Sequence, residues 1–369
     1  MIRYQPSTVM IDNRVLGSPM TQTVIKNLPD VPRRIISDPA ELTPEMRFPG
    51  TSITVGKRTL FLTAHKGKFL KKCPGTAGEV CCNYYVLNPL SNCSFECSYC
   101  FLQTYLNNPF LVVYTNMEEM LEEVEAALAA NPGRPFRMGT GEIADSLALD
   151  HITEMSRLLV PFFAAQKDAL LELKTKSAQV ENLLDLDPKG RVVISWSLNP
   201  QRIISQEEHK TASLEERLSA ARRCQEAGYK IGFHLDPLIY SPRWEKEYKE
   251  LLDQLFSVID SRQILWVSLG GFRYPPELKE VMEERFPKTR LLYEEFVPGQ
   301  DGKMRYLRQV RIQMYRTLHA LIRSRNPRVF IYLCMEGPDV WKDVFGWSPH
   351  CQVTANELFH EQGGRHEFF

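Results

Sequence analysis

The chain has 369 residues, 43% of them hydrophobic, enough to bury a core for one large domain or one and a half smaller ones. Lysine plus arginine equals aspartate plus glutamate at 45 each, which excludes attraction to nucleic acid through bulk charge and leaves a local patch as the one electrostatic route. The first twenty residues, MIRYQPSTVMIDNRVLGSPM, lack the apolar core of a signal peptide, and the densest apolar stretch, Leu158 to Ala165, is too short to span a bilayer; a cytoplasmic protein without a membrane partner is expected.

In chain order, residues 1–80 are proline-rich and polar with little periodicity, and read as an N-terminal extension in which Ile53 to Ala64 can hold a strand or hairpin. From there apolar or β-branched runs predict strands at Tyr84 to Leu87, Phe136 to Met138, Ala169 to Leu173, Val192 to Trp196, Lys230 to Leu235 and Ile264 to Leu269. Between them, apolar spacing predicts helices at Met117 to Ala130, Thr153 to Gln166, Leu214 to Gly228 and Glu277 to Phe286, with Gly228 as a C-cap. Strand alternating with helix means a parallel α/β sheet, and six such units over residues 81–300 suit a partial (βα)6 barrel of the TIM type. Residues 301–369 read as a C-terminal extension with a helix from Met304 to Arg323, a strand from Val329 to Met335 and a polar tail.

Nine cysteines, six of them between Cys73 and Cys100, favour a metal site over a disulfide framework. Directly after the first predicted strand, Cys93, Cys97 and Cys100 follow a C-x3-C-x2-C spacing in a loop. Soft thiolates select iron–sulfur clusters or zinc, and three from one short loop can hold three corners of a cubane whose fourth iron stays open. The alternative is structural zinc, with a fourth ligand from Cys73, Cys81, Cys82 or His65, although the spacing is unusual for zinc. An auxiliary cluster on Cys73, Cys81 and Cys82 is disfavoured because adjacent cysteines seldom ligate one metal; small buried thiols suit them better. Cys224, on a helix, and Cys351, in the tail, read as dispensable for metal binding.

The triplet resembles that of the radical S-adenosylmethionine superfamily, which implies a 4Fe-4S cluster, bound S-adenosylmethionine, and Tyr99 against the adenine side of the cofactor. Ligands in a parallel barrel lie at the carboxyl ends of the strands, so the polar residues closing each run are the candidates. The second strand ends Met138-Gly-Thr140-Gly-Glu142, similar to the superfamily's Gly-Gly-Glu motif for the cofactor's amino group; a turn with a helix-capping acid is the plain alternative. Lys174 and Lys176 put two ammonium groups on one side of the third strand's end, Ser197 and Asn199 close the fourth, and His234 in the fifth reads as a satisfied buried histidine.

From Cys93 to Tyr306 the chain resembles the spore photoproduct lyase family in Cys97-Ser-Tyr-Cys100-Phe-Leu-Gln-Thr104, Asp145 to Thr153, Thr175-Lys176, Ser197-Leu-Asn199, Ala227 to Phe233, Phe286-Pro-Lys-Thr289 and Arg305-Tyr306. The resemblance implies a radical lyase acting on a pyrimidine photolesion in DNA, with an external electron donor such as a flavodoxin or ferredoxin. It implies that Lys176, Ser197 and Asn199 bind S-adenosylmethionine and that Arg273, Arg305 and Tyr306 face the nucleic acid. Lys303, Arg305, Arg308, Arg311 and Arg316 form a basic run that can grip phosphates or be a solvated face. Two departures stand out: Glu142 falls where the lyases carry a hydrogen-donating cysteine, and Phe101 follows the third cluster cysteine where they carry a tyrosine. With both relay groups missing, Tyr99 or Cys334 is the candidate to quench a product radical. The competing readings are radical chemistry on a small molecule or peptide, and a zinc-stapled nucleic-acid-binding protein.

Overall fold

The computed structural model describes residues 3–37, 52–73, 75, 78–80 and 84–349; Cys81, Cys82, Cys351 and the polar tail lie outside them. Seven strands lie side by side in chain order: β1 (Tyr84–Leu87), β2 (Phe136–Gly139), β3 (Ala169–Thr175), β4 (Val192–Ser197), β5 (Lys230–Leu238), β6 (Ile264–Gly271) and β7 (Phe330–Leu333). All neighbouring pairs among them are parallel. A short antiparallel strand, Leu70–Lys72, pairs with β1 at the other edge. The sheet curls with its helices outside, the partial barrel that the alternating pattern predicts.

Local chemistry explains the helix boundaries. In Leu214–Glu226, Ser213 Oγ accepts from the Glu216 amide while the Glu216 carboxylate accepts from the Ser213 amide, and Leu214, Leu218, Ala221 and Cys224 bury one face. Gly228, at φ +90°, turns the chain out of this helix as expected. The helix predicted from Met304 is shorter at its start: Met304–Tyr306 is a strand, paired with Arg273–Tyr274 on one side and Phe296–Pro298 on the other, and the helix runs Arg308–Arg325.

The barrel sheet does not stop at the expected domain boundaries. β7, assigned from sequence to the C-terminal extension, pairs with β6 and completes the sheet. At the other end, Thr8–Asp12, Arg33–Ile36 and Thr59–Thr63 form a second parallel sheet with Leu111–Tyr114, a segment lying between β1 and β2 in the chain. These strands are four or five residues long and separated by prolines, so they leave little periodic signal, and they become stable by packing together around Val9, Ile11, Leu60, Leu62, Leu111 and Val113.

Candidate active site at the barrel mouth

Residues opposite each other in a parallel register point to the same face, and here alternate residues point into the lumen. Arg137, Glu172, Ser195 and His234 are linked there: Glu172 receives Arg137 Nη2 at 2.7 Å, the His234 ring at 2.6 Å and Ser195 Oγ at 2.6 Å. Arg137 also stacks over the Trp266 ring at 4.0 Å and donates to the Tyr332 hydroxyl at 3.0 Å. Burial would raise the Glu172 carboxyl, but Arg137 and His234 overcome it and hold it far below the usual carboxylate range. His234 is the satisfied buried histidine expected from sequence, and burial lowers its pKa.

Above this floor, the strand ends carry the predicted site residues. Glu142 and Lys174 pair at 3.2 Å, both partly exposed. Thr140 Oγ1 donates to Ser146 Oγ at 2.8 Å. The glycines of this segment make room for protein atoms: a Cβ on Gly141 would stand 2.8 Å from Lys174 Cβ, and one on Gly139 would stand 1.7 Å from the Tyr84 hydroxyl. Asp145, buried, accepts from the Leu147 and Ala148 amides and from Thr175 Oγ1 with one carboxylate oxygen, and from the Lys176 amide with the other, which locks the loop after β2 onto the end of β3.

The cysteine loop hangs over the mouth and is fastened on both sides. Glu96–Cys97 pairs antiparallel with Glu208–His209, and the Ser98 amide donates to Glu207 O at 2.8 Å. Glu96 is gripped by Arg285 at 2.7 Å and Lys57 at 3.4 Å, and Lys57 also donates to Phe95 O. Asn92, at φ +70°, bends the chain into the loop; its side chain donates to Pro109 O and Phe110 O and accepts from the Cys93 amide. Cys93 and Cys100 are half-buried and Cys97 is buried. Burial raises all the more the cost of a lone thiolate here, pushing Cys93 to about 12.

These thiols fit an iron–sulfur cluster. They are three soft donors on one short loop, near enough for Cys93 and Cys100 each to influence the charge on Cys97, and the Phe95 amide already donates to Cys93 Sγ at 3.5 Å. Cationic iron offsets the burial that disfavours the thiolates. Among the described residues no three His, Cys, Asp or Glu side chains converge as ligands of a single ion.

Sequence reading missed a residue that joins this loop to the strand ends. Glu208 accepts from the Tyr99 hydroxyl and from Asn199 Nδ2 (2.9 Å) on one carboxylate oxygen, and from Arg217 Nη2 (2.6 Å) on the other. Asn199 in turn accepts from the Tyr248 hydroxyl at 2.7 Å. Lys176 Nζ lies over the Tyr99 ring, 5.9 Å from its centre. Lys176, Ser197, Asn199 and Tyr99 are thus brought together around the cysteine loop, with Tyr99's hydroxyl engaged by a carboxylate. No motif marks Glu208, because its partners lie up to 109 residues away in sequence.

The residues expected to face nucleic acid lie on paired strands, Arg273 opposite Arg305, but differ in their partners. Arg273 sits at the mouth, paired with Asp236 at 3.1 and 3.3 Å, its guanidinium 3.9 Å from Cys334 Sγ. Arg305 is buried and bonded to Asp301, with Glu79 at 3.6 Å, and Tyr306 is buried against Phe296. The basic run is partnered internally: Lys303 with Asp301, Arg308 with Asp343, Arg311 with Glu336, and Arg316 on Asp343 O. Each cation of the run is therefore already paired, while Arg308 and Arg316 remain exposed to solvent. Phe101 is exposed, edge-on to Tyr105.

Three relatives called spore photoproduct lyase match the chain. The one from a Geobacillus strain is 30% identical over 56% of this chain and 62% of its own length. That from Bacillus subtilis is 28% identical over 57% and 63%. The third, from Clostridium acetobutylicum, is 24% identical over 81% and 89%. The matched stretch is under two-thirds of the length of the first two. Among solved structures, a spore photoproduct lyase mutant with bound AdoMet and dinucleoside spore photoproduct superposes with a TM-score of 0.80 at 23% identity, covering 90% of this chain and all of that one. A complex of the lyase with the dinucleoside spore photoproduct gives 0.79 at the same identity and coverage. Both show the shared fold. The family model for spore photoproduct lyase matches residues 47–330, well over half of the sequence, and the chain therefore belongs to the spore photoproduct lyase family.

Proposed function

We propose that this protein is a radical S-adenosylmethionine enzyme that acts on a pyrimidine photolesion in DNA. The observation that carries the reading is the fastening of the Cys93, Cys97 and Cys100 loop, by backbone pairing and through Glu208, to the strand ends that present Asn199, Ser197 and Lys176. When bound, the cluster supplies the electron that cleaves S-adenosylmethionine, and the cofactor supplies the group that abstracts hydrogen from substrate. The three thiols would hold the cluster. Glu142 is placed to accept from an ammonium group, with Lys174 beside it to meet a carboxylate. Thr140 sits between these strand ends, Ser197 offers a hydroxyl to a ribose, and Asn199, held by Glu208 and Tyr248, keeps one amide hydrogen for it. The lumen walls, closed by the Arg137, Glu172 and His234 network, exclude water from a reactive intermediate.

An external one-electron donor, of the flavodoxin or ferredoxin kind, is part of this proposal. For the lesion contacts, Arg273 at the mouth is the candidate, whereas Arg305 and Tyr306 support the wall. None of the described helices is long and apolar enough to cross a membrane. The test is to supply the reconstituted protein with S-adenosylmethionine, reductant and dinucleoside spore photoproduct. Conversion to thymine supports the proposal; cofactor cleavage that proceeds without any change in the lesion rejects the substrate.

A further inference from the structure

Among the described residues, one phenol of the barrel lumen has a hydroxyl without a hydrogen-bond partner. Tyr84 lies opposite Arg137 in the parallel register, and Arg137 points into the lumen, so Tyr84 does too. It is buried, at 6% exposure, and among the described residues its hydroxyl has no hydrogen-bond partner. Gly139 is what allows the hydroxyl to stand at that height, since any Cβ there would collide with it. A buried, unpaired hydroxyl destabilises the fold, and phenylalanine would fill the same space without that penalty. The position is chemically informative for that reason.

The reaction proposed above, on which this inference rests, leaves a carbon radical on the substrate that must regain a hydrogen atom. Glu142 cannot give one readily, and Phe101 has no hydroxyl. Of the phenols near the lumen, Tyr99 gives its hydroxyl hydrogen to Glu208, and Tyr332 is held through its oxygen by Arg137 and stacks on Phe330. The thiol of Cys334 lies 3.9 Å from the Arg273 guanidinium and is the competitor that experiment sets against Tyr84. Ser268, opposite His234, has a second unpartnered buried hydroxyl, but an aliphatic O–H bond is too strong to yield its hydrogen to a carbon radical. We infer that Tyr84 is the hydrogen-atom donor of this protein.

In this step the Tyr84 O–H bond breaks homolytically and a C–H bond forms at the substrate radical, leaving a neutral phenoxyl. No charge is created, which suits a dry lumen. The phenoxyl is restored by one electron from the one-electron reductant that serves the cluster and one proton from solvent, entering past the Glu142 and Lys174 pair at the mouth. Burial, reinforced by Glu172, pushes the Tyr84 ionisation far up, so the phenol keeps its hydrogen across the physiological range.

The test compares parent, Tyr84→Phe and Cys334→Ala proteins, each reconstituted and given S-adenosylmethionine, reductant and dinucleoside spore photoproduct. Tyr84→Phe is expected to fold with unchanged or raised thermal midpoint and to cleave the cofactor as the parent does. It is expected to form thymine at least tenfold less and to divert the rest to adducts. Freeze-quenched parent and Cys334→Ala samples should show a phenoxyl signal that narrows with ring-deuterated tyrosine; Tyr84→Phe should not. Clean conversion by Tyr84→Phe, or a loss confined to Cys334→Ala, overturns the assignment while leaving the proposed function standing. Failure of the parent to convert the lesion overturns both.

Discussion

Glu208 and Arg217 form an ion pair of 2.6 Å in which neither side chain has any solvent exposure. The same carboxylate holds Tyr99, from the cysteine loop, and Asn199, just past the end of β4, so one buried charge fixes the loop against that strand end. Burial works against its ionisation, yet Arg217 and Lys176 hold Glu208 down to about 2. Removing the charge leaves Arg217 buried without a counter-ion, which costs about 3–5 kcal/mol. Glu208→Gln should therefore lower stability by that amount at pH 7, measured by urea unfolding, and should also weaken S-adenosylmethionine binding by the cluster-loaded protein.

The pH dependence of that difference has a definite sign. A carboxyl whose pKa is depressed in the folded state contributes stability above its ordinary value of 4.5, and that contribution disappears as pH falls toward about 2. The gap between parent and Glu208→Gln should be full at pH 6 and shrink steadily below pH 4.5. A gap that stays constant down to the acid unfolding limit would mean that the pair does not titrate with folding.

Iron content separates the cluster cysteines from the others. Alanine at Cys93, Cys97 or Cys100 should abolish cluster formation on anaerobic reconstitution. Cys224 is fully buried on the helix Leu214–Glu226, packed into the main core, and Cys224→Ala should retain full iron. Loss of iron in Cys224→Ala, or its retention in any of the three others, contradicts the ligand set.

The Glu142 and Lys174 pair makes a binding prediction. Glu142→Ala removes a charge-assisted acceptor worth roughly 1.5–3 kcal/mol, or about ten- to a hundredfold in affinity for S-adenosylmethionine, while the cluster remains. Lys176→Ala should act similarly through the other side of the site. Unchanged dissociation constants in both variants would remove these residues from the cofactor site.

Much of the barrel was legible because each strand is an apolar run closed by a polar residue, and because Gly228 and the Ser213-x-x-Glu216 box mark a helix by local chemistry alone. The cysteine loop was equally clear as a motif, since its three thiols lie within eight residues of sequence. What stayed hidden depends on distant partners. Arg305 carries the same charge whether it faces DNA or, as here, Asp301 and Glu79, and only the folded chain distinguishes the two. Tyr84 reads in sequence as one aromatic in a strand; its significance comes from Gly139, on the neighbouring strand. Of the N-terminal sheet, the strand Thr59–Thr63 falls within the stretch Ile53 to Ala64 read as a strand or hairpin; the others went unread because they are too short to show alternation and come from segments that flank β1.

Steric fit offers a check that needs no cofactor. Gly139→Ala places a methyl group into the Tyr84 hydroxyl and should destabilise the protein by about 1–3 kcal/mol. Adding Tyr84→Phe should recover part of the loss but not all, because the ring carbon beneath the hydroxyl is itself 2.6 Å from the new Cβ. Additive losses in the double variant would show that the two residues do not meet.

The central claim is that the three-cysteine loop carries a cluster that cleaves S-adenosylmethionine, and its most direct measurement is the yield of 5′-deoxyadenosine from anaerobically reconstituted protein given the cofactor and a strong reductant. The account predicts at least one 5′-deoxyadenosine per chain, with four irons and four sulfides bound and none of the product in Cys97→Ala. Protein that binds one zinc, takes up no sulfide and forms no 5′-deoxyadenosine would contradict it.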